Sequence, residues 1–161
     1  MSAALNAQSQ VPFEERVDIE DALYRFAAGQ DMKDRALLES AFTRDAVLDF
    51  VHPASCMGLT LEPFRGRAAT VDAVWGATAE LTTTHTITNV RIVERKGDAA
   101  RVTALVEAQH LPKDDDSRNL LLKNMLDVEL LCEHGRWLIA RMRFRNMWKE
   151  GDPKVLFPGS D

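Results

Sequence analysis

The chain has two cysteines, one tyrosine and no run of lysines and arginines. Cys56 and Cys132 are too few and too isolated for a disulfide framework or a zinc knuckle. With 20 basic against 25 acidic residues, a net charge of −5 and no basic cluster, nucleic acid and anionic membrane surfaces are not expected partners. No apolar run is long enough to span a bilayer, and the first ten residues lack the basic start and apolar run of a signal peptide. A cytoplasmic protein is the expectation. Internal repeats and low-complexity segments are also missing. The 161 residues are one domain's length, enough to build a core without covalent staples.

What the chain does have is periodicity. Residues 1–13 read as a flexible tail. From Glu14 onward, Ile19, Ala22, Leu23, Phe26 and Ala27 recur at helical spacing. Asp31 falls on the same stripe if the helix reaches it. A carboxylate there opposes the helix dipole, so a compensating partner is expected, and a histidine is one candidate. A second helix is predicted over Lys33 to Phe42 and a strand over Ala46 to Val51. The stretch from His52 to Gly66 reads as a long loop, the kind that forms lids or pocket walls. A third helix follows from Arg67 to about Leu81.

The remainder reads as an antiparallel meander with strands over Thr88–Glu94, Ala99–His110, Arg118–Leu131 and Arg136–Trp148. Lys96-Gly97-Asp98 and Glu133-His134-Gly135 supply the hairpin turns. Parity sorts the faces. Val102, Ala104, Val106, Ala108 and His110 share one, as do Leu120, Leu122, Asn124, Leu126, Val128 and Leu130. Leu138, Ala140, Met142, Phe144 and Asn146 extend it on the last strand, with Arg141, Arg143 and Arg145 opposite, on a solvated or subunit-facing side. The architecture is therefore α+β: a cone-shaped, curved antiparallel sheet covered by three helices from the N-terminal half, with a pocket at its open end.

Polar interruptions of an apolar face are the positions to weigh for chemistry. A carboxylate that orients an imidazole makes a proton-transfer base at neutral pH, and Asp31 with His85 is that combination. His110 ends an alternating strand and reads as a hydrogen-bonding group or second acid. Asn124 and Asn146 are candidates to orient a substrate oxygen, or else satisfy backbone groups inside the sheet. Phe26, Phe50, Trp75 and Phe144 are core residues that also supply pocket wall. Two histidines and a carboxylate also match a metal triad, which spacing neither supports nor excludes. His52 and His134 read as solvent-facing.

The order of Asp31, Phe42-Thr43-Arg44-Asp45-Ala46-Val47-Leu48-Asp49-Phe50, Phe64-Arg65-Gly66-Arg67, Thr83-Thr84-His85 with Asn89, and Gly135-Arg136-Trp137-Leu138-Ile139-Ala140-Arg141 resembles the SnoaL-like branch of the nuclear-transport-factor-2-like (NTF2-like) superfamily. Within it, scytalone dehydratase, bile-acid 7α-dehydratase and hexachlorocyclohexane dehydrochlorinase look most similar, over residues 14–148. The resemblance implies an Asp–His elimination needing no metal and no organic cofactor, on a hydrophobic cyclic small molecule. It carries the pair onto Asp31 and His85, and a second pocket histidine onto His110. Two pocket tyrosines of the dehydratases have no counterpart, since Gln30 or Phe26 and then Phe50 stand in their places. The implied function is a lyase or isomerase. The alternative is a non-catalytic binding or assembly module like the small subunits of ring-hydroxylating dioxygenases. The resemblance further implies a homotrimer, with a dimer as alternative. Residues 149–161 form a tail whose knot Val155-Leu156-Phe157 is expected on a pocket mouth or a subunit border.

Overall fold

A computed structural model describes residues 10–158, and the fold is that of this stretch. Most of the expected N-terminal tail lies outside them, but Val11 is packed into the core at 5% exposure. Helix α1 spans Phe13–Asp31, one residue earlier than the periodicity placed it, with Glu14 and Glu15 in its first turn where the dipole favours them. Its buried stripe runs through Ile19, Leu23, Phe26 and Ala27 to Gly29 and Gln30. Lys33 then takes a left-handed conformation (φ 56°), and the Asp34 N–H returns to the Gly29 carbonyl at 2.9 Å, closing the helix end. Asp34 caps α2, Arg35–Glu39, by accepting the Leu37 N–H at 2.9 Å. That helix is shorter than expected because Phe42 already pairs with the last strand.

Gly29 is where α2 crosses α1. A Cβ there would lie 2.5 Å from the Leu38 backbone nitrogen, which cannot move without moving the helix. Gly29→Ala is therefore expected to destabilise the fold by about 1–3 kcal/mol, overriding the helix propensity alanine would gain. Urea denaturation reads this directly, and a stabilised variant would contradict it.

Strand β1 covers Phe42–Asp49. The expected loop contains a short helix α3, Val51–Cys56, and a two-residue strand β2, Phe64–Arg65, before helix α4, Arg67–Thr78. Strands β3 (Leu81–Lys96), β4 (Ala99–Pro112), β5 (Leu120–Glu133) and β6 (Arg136–Gly151) form the meander. The two hairpin turns fall where expected. His134 and Gly135 both carry positive φ (52° and 78°), as a tight hairpin turn demands.

The six strands make one curved, unclosed sheet in the order β2-β1-β6-β5-β4-β3. It is antiparallel except for β1 against β6, which run parallel. Helices and sheet share one core, in which Leu122, Leu126, Val128 and Leu130 of β5 are 1% exposed or less, as parity predicted. The parity of β6 is different. A bulge between the Leu130–Ile139 and Glu129–Arg141 pairs shifts the register, so Trp137 and Ile139 point inward instead of Leu138 and Ala140. Met142 and Phe144 beyond the bulge are buried, while Arg143 and Arg145 are exposed. Among the described residues, no helix is long and apolar enough to cross a membrane.

Candidate active site

Strand β3 begins at Leu81, seven residues before the expected Thr88, so His85 lies inside the strand. Alternation turns Thr83 and His85 to the same face, toward the end of α1. There the His85 Nδ1–H donates to Asp31 Oδ1 at 2.6 Å, and the His85 backbone N–H donates to Asp31 Oδ2 at 2.7 Å. The Thr83 hydroxyl donates to Asp31 Oδ1 at 2.9 Å. The direction of that last bond follows from its neighbour. Lys33 Nζ sits 3.2 Å from Thr83 Oγ1 and 2.9 Å from the Thr78 carbonyl, and an ammonium only donates. Thr83 must then accept from Lys33, leaving its single hydrogen for Asp31. Lys33 occupies the left-handed position where glycine is the default, and its side chain is what brings this charge beside the carboxylate.

Burial disfavours the charged form of Asp31, but the hydrogen bonds and charge of His85, with those of Thr83, outweigh it and hold the carboxyl below its ordinary value. Asp31 is an anion that fixes the imidazole by its ring and its backbone together. The His85 side chain is 6% exposed, and with Nδ1 committed its Nε2 is the nitrogen left with a free lone pair.

Beside the dyad lies a cavity of about 140 Å³. Its wall is overwhelmingly apolar, and no Lys, Arg, Asp or Glu lines it among the described residues. Phe26, Phe50, His85, His110, Asn124 and Phe144 all line it. Phe26 meets His85 edge-on at 6.4 Å between ring centres, and Phe50 meets Phe144 at 5.3 Å.

Two expected lining residues do not reach the cavity. Trp75 lies on a neighbouring face of α4, under the guanidinium of Arg35, while the smaller Ala73, Val74, Ala77 and Thr78 form the wall. Asn146 sits behind Asn124, its Nδ2 3.0 Å from Asn124 Oδ1. Residues outside the expected lining also contribute, notably Leu48, Leu61, Phe64 and Gln30. Of the tail knot, Leu156 and Phe157 close one side of the cavity. Asn89, part of the resemblance, is an exposed bulge residue with φ 54° and takes no part. Tyr24 is exposed and bonded to Glu20.

His110 is 3% exposed, and its ring stands perpendicular to that of His85 with centres 5.6 Å apart. Burial first, and the nearby His85 second, push its pKa down to about 4, against the opposing pull of its bond to Leu120. A neutral ring beside a carbonyl must donate to it, so Nδ1 carries the hydrogen toward Leu120 O at 3.1 Å. Nε2 is therefore an acceptor. Burial disfavours the protonated ring that a second acid would need, so this arrangement favours the acceptor role. Among the described residues no group of three or more His, Cys, Asp or Glu side chains is arranged to hold a metal.

A SnoaL-like domain model matches residues 12–143, and the chain belongs to this family, within the NTF2-like superfamily. Terrestric acid biosynthesis cluster protein E of Penicillium crustosum is 29% identical over 144 residues, 86% of each chain. A solved chain from Novosphingobium aromaticivorans, named as an aromatic ring hydroxylase, superposes with a TM-score of 0.77 at 25% identity, over 91% of this chain and 99% of that one. The hexachlorocyclohexane dehydrochlorinase of Novosphingobium barchaimii has the same fold, with a TM-score of 0.68 at 16% identity over 88% of this chain and 92% of its own.

Proposed function

We propose that the chain is a cofactor-independent lyase or isomerase acting on a hydrophobic cyclic small molecule, with the Asp31–His85 pair as its base. The observation that carries this is the 2.6 Å bond from His85 Nδ1 to the Asp31 carboxylate beside an apolar cavity. His85 Nε2 takes a proton from a carbon next to an electron-withdrawing group. In an elimination the freed electron pair becomes the new double bond as the neighbouring carbon–oxygen or carbon–halogen bond breaks. The imidazolium, stabilised by Asp31, then gives the proton to the departing oxygen, releasing water; a halide instead leaves as the anion, and the imidazolium returns its proton to solvent. In an isomerisation the same proton returns at another carbon. Asp31 keeps its charge throughout, as the carboxylate of a catalytic triad does. His110 Nε2 serves by accepting a hydrogen bond from a ring hydroxyl.

The biosynthetic-cluster and dehydrochlorinase relatives support small-molecule chemistry of this kind. A non-catalytic assembly module has no use for a buried base at the wall of a cavity, and that reading is the weaker one. The test is a turnover screen of cyclic β-hydroxy ketones, halogenated cyclohexanes and β,γ-unsaturated ketones, comparing wild type with His85→Ala. Turnover of at least one class by wild type, lost in the variant, is the expected result. A wild-type protein inert across the panel, or a variant as active as wild type, defeats the proposal.

A further inference from the structure

The ladder between β5 and β6 is irregular beside the cavity. Lys123 pairs with Trp148 while Asn124 pairs with Asn146, so Met147 is an extra residue on β6. Asn146 fills the resulting gap. Its Nδ2 reaches Trp148 O at 3.1 Å, Lys123 O at 3.4 Å and Asn124 Oδ1 at 3.0 Å, and its backbone N–H donates to His52 Nδ1 at 3.1 Å.

These contacts determine which way both amides point. Two backbone carbonyls face the terminal atom of Asn146, and carbonyls only accept, so that atom is the nitrogen. An amide nitrogen at that place cannot accept a hydrogen bond, and a second NH₂ group 3.0 Å away would set donor against donor, so the Asn124 atom facing it is the oxygen. The Asn124 nitrogen is then the end left for the cavity, on a side chain 1% exposed. The other polar side chains on the wall each already donate to a protein acceptor, with one further N–H left on Gln30. Thr78 donates to Val74 O, Gln30 to Phe26 O, His85 to Asp31 and His110 to Leu120 O.

We propose that Asn146 is a positioning residue that holds Asn124 with its amide N–H groups toward the cavity, so that the site selects a neutral ring bearing a carbonyl oxygen at Asn124. This rests on the cavity being the ligand site of the function proposed above. It assigns the wall its complementarity: acceptors at His85 and His110, a donor at Asn124, and no charge. A carbonyl held at Asn124 is also the electron-withdrawing group that a proton abstraction by His85 requires.

The experiment compares 1-indanone with indane, rings of closely similar size that differ by the carbonyl oxygen. Binding to the full chain is followed by calorimetry and by titration of ¹⁵N-labelled protein. Wild type is expected to bind indanone about five- to tenfold more tightly, the value of one hydrogen bond made in a desolvated site. Asn146→Ala is expected to reduce that preference to about twofold or less while leaving indane affinity unchanged, because the freed Asn124 amide can turn over. A merely structural role would weaken both ligands together, and that result overturns the assignment. So does an Asn146→Ala protein that keeps the full preference. Should that variant fail to fold, the wild-type spectrum decides. The Asn124 side-chain NH₂ pair moves with indanone and stays with indane, and an unmoved pair counts against the proposal. Equal binding of both rings by wild type removes the Asn124 assignment alone. Binding of neither removes the assignment together with the ring-binding reading of the cavity.

Discussion

Asp31→Asn is expected to lower turnover on a substrate found by the screen by about 10²–10⁴-fold, the range that general-base catalysis supplies. The loss follows from donor and acceptor arithmetic, not from lost charge alone. Asp31 offers three hydrogen-bond donors nothing but acceptor oxygens: the His85 ring, the His85 backbone and the Thr83 hydroxyl. An asparagine has one oxygen and one NH₂ group. With the oxygen toward the ring, the NH₂ group confronts the His85 backbone N–H across 2.7 Å. With the amide turned over, NH₂ faces Nδ1, and the imidazole must move its hydrogen to Nε2, which removes the lone pair that acts as base. Either arrangement misplaces or silences His85, the effect known from the corresponding change in a catalytic triad. Single-turnover kinetics gives the factor, and a long-range ¹H–¹⁵N spectrum of the histidine ring shows which nitrogen carries the proton. An Asp31→Asn variant that retains turnover close to the wild-type rate would mean that Asp31 does not orient the base.

The second large effect is on stability, through His110. Its folded pKa of about 4 lies below the ordinary value of 6.5. At neutral pH both folded and unfolded chains leave it uncharged. As pH falls below about 6.5 the unfolded chain takes up a proton that the folded chain refuses until about pH 4, so acid favours unfolding. The contribution is therefore fully present above 6.5, and about 3 kcal/mol is lost by the time pH reaches 4. The contribution of Asp31 lies lower, since its carboxyl titrates below 3.8. Urea denaturation of wild type and His110→Gln between pH 7.5 and 4.5 separates the two. The wild-type curve should fall more steeply, and parallel curves would show that burial does not hold this ring neutral.

Where one physical signal dominates a segment, the sequence could be read correctly. The stripe ending at Asp31 has a clean helical period, and β4 and β5 alternate without interruption, so their inward faces could be assigned from parity alone. Strand β6 escaped because a bulge is an insertion of one residue on one strand, and it leaves no mark on composition. The same blindness applied to Asn146, whose neighbouring bulge turns it along the ladder to face Asn124. Trp75 was expected at the cavity as one of the aromatic core residues, yet α4 presents Ala73, Val74, Ala77 and Thr78 there and turns Trp75 toward Arg35. Thr83 could have been found, since it stands two residues before His85 on a strand face. Which nitrogen of His110 holds its hydrogen depends on the Leu120 carbonyl across a hairpin, and no single strand encodes that.

Leu156 and Phe157 form one wall of a cavity whose base is held by a residue at position 31. The site is thus closed by the two ends of the folded chain, and its assembly has an order in time. During synthesis the dyad's parts emerge early, but the space they act upon has no boundary on that side until the residues after β6 have left the ribosome and packed down. A shortened product that stops at the end of the sheet would keep most of the core and the aligned Asp31–His85 pair, yet open the cavity to water. A handful of residues at that end thus serves both purposes: Val155 and Leu156 join the core, and Leu156 and Phe157 bound the space on which the dyad acts.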